Sequence, residues 1–333
     1  MSNDFNATVQ KGKHLWISWE IHRRSQSISS KLGIPLIEFS NPLPRWIRHP
    51  LFLLQTSWLL AKRRPSILFV QNPSVVLTMW AIIFRPLLKY KLIVDAHNAG
   101  IYPFEKEQEK YAAIFPFVHR KADLTIVTNK FLAEIVDKNG GNAVILPDPL
   151  PEFQISSTTV SNTESFVVTM ICSFANDEPY LELFEAAALL PKSVRVLVTG
   201  NNSKLAQAER DLARQNNVHL TGFLSEEDYL NQLSNSDCII VLTTFNDCMV
   251  CGAYEAVSLE IPLILSNSPV LKTWFGNAAI YTENKASMIA QAIIKCKEQC
   301  QSEYLYTQIR KQKVELNSRW DEMAKEVQNQ LAL

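Results

Sequence analysis

Glycine is scarce in this chain, with nine in 333 residues. That excludes collagen-like and low-complexity architectures. No apolar run is long enough to cross a bilayer. The longest, Val75–Phe84, falls well short of the roughly 20 residues a spanning helix needs. Residues 1–13 are polar without an apolar centre, so no secretory leader is expected. Cysteines are few and spread: Cys172, Cys238, Cys248, Cys251, Cys296 and Cys300. Cys248-x-x-Cys251 has no second pair or nearby histidine to complete a zinc or redox site, so no metal is expected. The spread fits a reduced, cytoplasmic protein. Net charge is missing too, with 33 Lys plus Arg against 33 Asp plus Glu.

That neutrality is not even. Residues 1–91 hold thirteen Lys or Arg and three acids, Asp4, Glu20 and Glu38, so the remainder is acidic by ten. The asymmetry points to an anionic partner for the N-terminal part, a membrane leaflet or a nucleic acid, unless it is a plain solvated basic face. The expected partner is an anionic membrane surface and not nucleic acid. The basic groups Arg45-x-x-Arg48 and Lys62–Arg64 fit a membrane-facing or solvated position.

Nearly half the residues are apolar, enough for two cores of ordinary size. Strand and helix patterns alternate. Strands are expected at His14–Trp19, Leu36–Phe39, Ile67–Gln71, Lys91–Ala96, Leu124–Thr128 and Ala143–Leu146. Helices are expected around Ser27–Leu32, Pro50–Lys62, Val75–Leu88, Lys106–Lys121 and Lys130–Lys138. Such alternation builds a parallel sheet covered on both faces. Leu146-Pro-Asp-Pro-Leu-Pro151 and the polar stretch Ile155–Ser165 interrupt it, which reads as a domain boundary. The pattern resumes with strands Phe166–Ile171, Val194–Val198, His219–Leu220, Cys238–Leu242, Pro262–Leu265 and Ala279–Tyr281. Helices Tyr180–Leu190, Lys204–Gln215 and Glu226–Asn235 lie between them, one more starts at Lys285, and a charged helix runs over Ser302–Leu331. The fold class is α/β, with two Rossmann-like doubly wound domains.

The most informative stretch is Thr244-Phe-Asn-Asp-Cys-Met-Val-Cys-Gly-Ala-Tyr-Glu-Ala-Val-Ser-Leu-Glu-Ile-Pro-Leu-Ile264. Seven residues separate Asp247 from Glu255. The first acid falls in a loop after a strand, and the second on the helix that this loop opens. A helix start offers unpaired N–H groups to a phosphate, and acids on either side can hold hydroxyls. The arrangement suits a sugar nucleotide.

The stretch resembles the acid-x7-acid motif of retaining glycosyltransferases with the GT-B fold, family 4 in particular. Glu255-Ala256 and Pro262-Leu263-Ile264 match the family pattern. Asp247 replaces the usual first Glu, and Glu260 stands where glycine is usual. The resemblance covers nearly the whole chain, while the specific motif is confined to about twenty residues. It implies an acceptor domain over 1–150, a nucleotide-sugar domain over 151–300 and a helix over 301–333 crossing back to the first domain. Trp320 and Leu316 would anchor that helix, and a cleft would lie between the domains. Glu255 would then bind ribose hydroxyls. The backbone at Cys248, Met249, Val250, Cys251 and Gly252 would hold the diphosphate, and Asp247 would bond the transferred sugar. Phe223 and Leu224 would line the base pocket, although Phe223 also reads as plain core.

The family's Arg and Lys after the first strand of this domain are missing. Cys172-Ser-Phe-Ala-Asn-Asp-Glu-Pro179 carries no cation, so Ser173, Asn176 and Lys204 are the expected substitutes. In the first domain His97 matches the family histidine near the reacting carbon, as charge stabiliser or as acceptor-positioning group. Asp95, Asn98, Tyr102, Arg23 and Arg24 are expected at the acceptor. The glycine-rich loop that the family carries after its first strand is absent from Trp19–Ser25.

The implied activity is metal-free transfer of a sugar, glucose first, from a UDP-sugar to a hydroxyl of a glycan or lipid-linked saccharide, with retention. No cofactor is needed besides that substrate. Polysaccharide or glycolipid assembly at the inner membrane face is the implied setting. Two alternatives stay open: a non-catalytic GT-B subunit binding a partner or glycan, which the missing cations favour, and a GT-B-fold nucleotide-sugar epimerase.

Overall fold

The computed structural model describes residues 14–72, 74–103, 112–153 and 165–331. The chain divides into two units, Met1–Pro149 with Trp320–Leu333, and Leu150–Arg319. The expected linker over 155–164 and the start of the helix expected from Lys106 lie outside the described residues. Each unit is a parallel sheet carrying helices in the α/β, Rossmann-like manner expected from the sequence.

Unit 1 is a six-stranded parallel sheet in the order β2-β1-β3-β4-β5-β6. Its strands are β1 (His14–Ser18), β2 (Leu36–Glu38), β3 (Ile67–Asn72), β4 (Lys91–Ala96), β5 (Leu124–Val127) and β6 (Ala143–Ile145). β3 sits between β1 and β4 and all six of its residues are buried, as an inner parallel strand requires. Its helices are α1 (Arg23–Leu32), α2 (Arg45–Arg63), α3 (Val75–Leu88), α4 (Asn98–Ile101), α5 (Ile114–Lys121) and α6 (Lys130–Lys138). One core layer contains Trp16 stacked on Phe69 at 5.1 Å, and Trp320 packs into the same layer. The indole Nε1 of Trp320 donates to the Pro147 carbonyl at 2.9 Å.

Helix α2 begins five residues earlier than its sequence suggests. Proline favours a helix's first turn, and Pro50 looks like that proline. Pro44 takes the N-cap instead, and Pro50 lies inside the helix.

Unit 2 is also six parallel strands, in the order β12-β11-β10-β7-β8-β9. They are β7 (Phe166–Met170), β8 (Val194–Thr199), β9 (Val218–Gly222), β10 (Cys238–Val241), β11 (Leu263–Ser266) and β12 (Ala279–Thr282). The helices are α7 (Tyr180–Ala187), α8 (Gln207–Gln215), α9 (Glu226–Ser234), α10 (Cys251–Ser258), α11 (Pro269–Phe275) and α12 (Ala286–Cys300), and α13 (Tyr304–Leu331) runs across the division, belonging to unit 1 from Trp320 on. Leu316 of α13 is buried, but it precedes the division at Arg319 and belongs to unit 2, not with Trp320.

The helix expected over Lys204–Gln215 is two pieces. Asn202–Lys204 form a 3-10 turn, with the Asn201 side chain accepting from the Ser203 N–H. α8 then starts at Gln207, where the Glu209 carboxylate accepts from the Ala206 N–H at 2.7 Å. Two local caps therefore outcompete one continuous helix.

Candidate functional site

In a doubly wound sheet the ligand crevice lies beyond the carboxyl ends of the strands, where strand order reverses. In unit 2 that point lies between β7 and β10. The loops leaving those strands are 171–179 and 242–250, which include Asp247 and the missing-cation stretch. Asp177 ties the loops together. Its Oδ2 accepts from Thr243 Oγ1 at 3.0 Å, and its carbonyl accepts from the Thr244 N–H at 2.8 Å.

The second loop opens α10. Val250 is its N-cap and makes no side-chain cap hydrogen bond, and the Ala253 N–H turns back to the Val250 carbonyl at 3.1 Å. Gly252 is what lets this helix start approach the strands. A Cβ there would lie 3.0 Å from Ile171 Cδ1 and from Val241 Cγ2. Glu255 follows one turn later, buried at 9% exposure, with Oε2 accepting from the Tyr229 hydroxyl of α9. Asp247 is half-buried at the end of the loop. Cys248, Met249 and Val250 are half-buried and Cys251 is exposed. Burial pushes the Cys248 thiol up to about 12, with Asp177 and Asp247 adding to the shift. It is therefore a neutral thiol at physiological pH, neither a thiolate ligand nor a nucleophile.

The loop after β7 shows what the sequence hid. Phe174 has φ +56, in the left-handed region. The turn aims the Ser173 and Ala175 N–H groups at one point, and Glu178 Oε2 occupies it, accepting at 2.9 and 2.8 Å. Ser173 Oγ donates to the same oxygen at 3.1 Å. Such a backbone nest suits an anion, and the chain supplies its own. Ser173, expected to meet a phosphate, is committed to Glu178. Lys204 does lie beside this loop, with Nζ donating to the Ser173 carbonyl at 2.7 Å. An ammonium carries three donors, so this contact fixes the cation's position at the crevice. Asn176 is exposed on the same loop.

Phe223 follows β9 and is 87% exposed. It is not core, and its ring faces solvent. Leu224 is half-buried. A polar hollow of about 270 Å³ lies over the carboxyl ends of β10, β11 and β12, lined by residues including Thr244, Asn246, Asn267, Glu283 and Lys285. Nothing in its sequence marks it, because its walls come from three separate loops.

In unit 1 the reversal lies between β1 and β3. Gln71, the penultimate residue of β3, bridges Glu20, donating at 2.6 Å, and Ser18, accepting at 3.0 Å. Arg24 is one of the residues expected at the acceptor. It is buried at 4% exposure, and its guanidinium bonds Asp95 Oδ1 twice (3.0 and 2.9 Å), Asp148 at 3.1 Å and the Leu146 carbonyl at 2.7 Å. Burial alone would lower its pKa, and the two carboxylates more than reverse that. Arg24 and Asp95 are thus a structural ion pair, not acceptor ligands, because burying either charge requires the other. Arg23, its neighbour, is exposed.

His97 caps the short helix α4, and its ring meets the ring of His22 edge-on at 4.5 Å. Burial holds its pKa down to about 4; Asp95 pulls upward, and Arg24 and His22 push downward. Burial keeps the ring neutral at pH 7, so it can act as a neutral hydrogen-bonding group. Its Nε2 is buried and makes no hydrogen bond among the described residues. Asn98 is buried and Tyr102 half-buried on the same loop.

Comparison with known proteins bears on both units. Residues 152–313 match the family model for Glycosyl transferases group 1. No curated protein matches the sequence. Among solved structures, HepE of Anabaena in complex with UDP-glucose is 14% identical with a TM-score of 0.72, covering 96% of this chain and 99% of that one. Sucrose-phosphate synthase from Thermosynechococcus elongatus is 16% identical with a TM-score of 0.72, over 89% and 82% of the two chains. A UDP-N-acetylglucosamine 2-epimerase from Listeria monocytogenes, so described provisionally, is 12% identical with a TM-score of 0.62, over 89% and 91%. At these identities the likeness is one of fold.

Proposed function

We propose, from the match of residues 152–313 to the glycosyl transferases group 1 family, that this chain is a glycosyltransferase using a UDP-sugar donor. The observation that carries the reading is the placement of Asp247 and Glu255 on either side of an uncapped helix start, at the strand reversal of unit 2. Structures of similar fold were solved with UDP and UDP-glucose, and glucose is the sugar proposed here. Glu255 takes the ribose hydroxyls, with Tyr229 steadying its carboxylate. The backbone at Cys248–Gly252 and Lys204 face the diphosphate. Asp247 orients the transferred sugar, and the exposed Phe223 ring offers a face to the base. Unit 1 contributes neutral His97 as a hydrogen-bonding group for the acceptor, with Arg23, Asn98 and Tyr102 near it. The acceptor is a hydroxyl of a glycan or lipid-linked saccharide, and configuration is retained, in keeping with the family 4 resemblance.

One observation favours a second reading. Glu178 fills the backbone nest where a diphosphate would profit most, and no cation lies on that loop. A non-catalytic subunit of the same fold would tolerate this. An epimerase has less support, because His97 and His22 pair in unit 1 while the one histidine of unit 2, His219, is exposed on β9.

Calorimetric titration with UDP, GDP and their glucose conjugates, with and without divalent metal, decides between them. The expected result is selective, metal-independent binding of UDP and its conjugate, abolished by Glu255→Ala in a folded protein. Absence of binding by every nucleotide would favour the non-catalytic reading.

A further inference from the structure

One face of unit 1 takes no part in this chemistry. Between Glu38 and Asp95 the chain has no acidic residue, yet it carries eight Lys or Arg. Within that stretch α2 turns Phe52, Thr56, Leu59 and Leu60 inward. It leaves Trp46, Leu54 and Trp58 at 77, 69 and 60% exposure. Their spacing in multiples of four makes one stripe. α3 adds Ile83 and Leu87, at 60 and 76% exposure. The Trp80 Nε1 donates to Ser57 Oγ at 2.9 Å, so the two helices lie side by side. Single exposed apolar side chains are ordinary, but a group of this size is not.

Cations frame the group. Arg45 and Arg48 stand at the start of α2, and Lys62, Arg63 and Arg64 at its end. Lys62 Nζ lies 4.6 Å from the centre of the Trp58 ring. At the end of α3, by the amino edge of the sheet, a hollow of about 730 Å³ is lined by Arg85, Lys89, Lys91 and Lys121 among others. Asp123 pairs with Arg85 there at 2.6 Å.

We propose that this face docks the protein on an anionic lipid bilayer. Indoles favour the headgroup level, leucine and isoleucine enter the acyl boundary, and Lys and Arg reach anionic headgroups while their stems stay apolar. A nucleic acid would use the charge and leave the leucines in water. A protein partner would need an apolar patch with an acidic frame to match. An anionic bilayer satisfies both features at once. None of these residues contributes to the donor site, so docking stands or falls separately from the proposed activity.

The test uses the full chain with vesicles of phosphatidylcholine alone and of phosphatidylcholine with phosphatidylglycerol, at low and high salt. Binding to the anionic vesicles, a blue shift of tryptophan emission, and weakening by at least about tenfold at high salt are expected. Trp46→Ser, Leu54→Ser and Trp58→Ser combined should remove the blue shift. Charge reversal at Arg45, Arg48, Lys62, Arg63 and Arg64 should release the protein. The triple serine variant should retain the wild-type unfolding midpoint, since its three side chains lie on the surface. Equal binding to neutral vesicles, or binding that neither variant changes, would overturn the proposal. So would a dimer by light scattering that the triple variant dissociates, or binding to duplex DNA without vesicle binding.

Discussion

The carboxyl edges of the two sheets occupy equivalent places in the fold and handle charge in opposite ways. In unit 1 the cation at the edge, Arg24, is spent on Asp95 and Asp148, and the histidine beside it is neutral. In unit 2 the acids Asp177, Glu178, Asp247 and Glu255 gather at the edge, and hydroxyls or backbone N–H groups meet three of them. The first edge stores its charges inside the fold, and the second presents dipoles and carboxylates to a ligand. An anionic donor at unit 2 would therefore rely on helix α10 and Lys204 more than on a cation pair.

The comparison breaks most visibly at Arg24. Arg24→Ala leaves Asp95 buried and uncompensated, a change that costs about 3–5 kcal/mol. Chemical denaturation should show unit 1 melting early, with unit 2 unchanged. Loss of acceptor use with full stability would instead return Arg24 to a binding role.

Acid should separate the units next. Burial holds His97 and the fully buried His119 at about 4, against an ordinary 6.5. The native state stays neutral while the unfolded chain takes up protons. The stability is therefore complete above pH 6.5 and is lost as pH falls from 6.5 towards 4. Each shift corresponds to roughly 2–4 kcal/mol at 1.36 per unit. Unit 1 should fail first in a pH series followed by hydrogen exchange, and His119→Gln should flatten its slope.

Glu178 tests whether the second edge is blocked by its own carboxylate. Glu178→Ala should raise UDP affinity about tenfold, because two aligned N–H groups become available to phosphate. It should also cost about 1–2 kcal/mol of stability, since those groups lose their partner. A fall in affinity would show that Glu178 orders the loop for the donor.

These two edges also show what was legible beforehand. The helices Val75–Leu88 and Lys130–Lys138 and the strand Lys91–Ala96 follow the residue pattern to the boundary, because the periodicity of their apolar residues is local information. Helix α11 has no counterpart among the expected helices, although Ser268-Pro269 marks its start. The candidate donor loops were legible through the spacing of Asp247 and Glu255. The Arg24–Asp95 pair was not: its partners lie 71 residues apart, and each alone looks like a site residue. The Glu178 nest was equally hidden, since it depends on the left-handed backbone of Phe174.

The smallest effect is expected at Glu260, which stands where the resembled motif has glycine. Glu260 ends α10 with φ +60, a conformation that costs a side-chain-bearing residue about 1–2 kcal/mol. Its carboxylate offsets part of that strain by accepting from Lys313 Nζ at 2.8 Å and pairing with Arg310 at 3.4 Å. Those hydrogen bonds hold its pKa below the ordinary 4.5 despite partial burial. The ion-pair contribution is therefore present above pH 4.5 and fades as pH falls below it. Exposed pairs are worth little and are screened by salt. Glu260→Gly should thus be close to neutral at low salt and stabilise unit 2 by up to about 1 kcal/mol at high salt or low pH. A loss that persists in high salt would mean that Glu260 holds α10 through packing and not through charge.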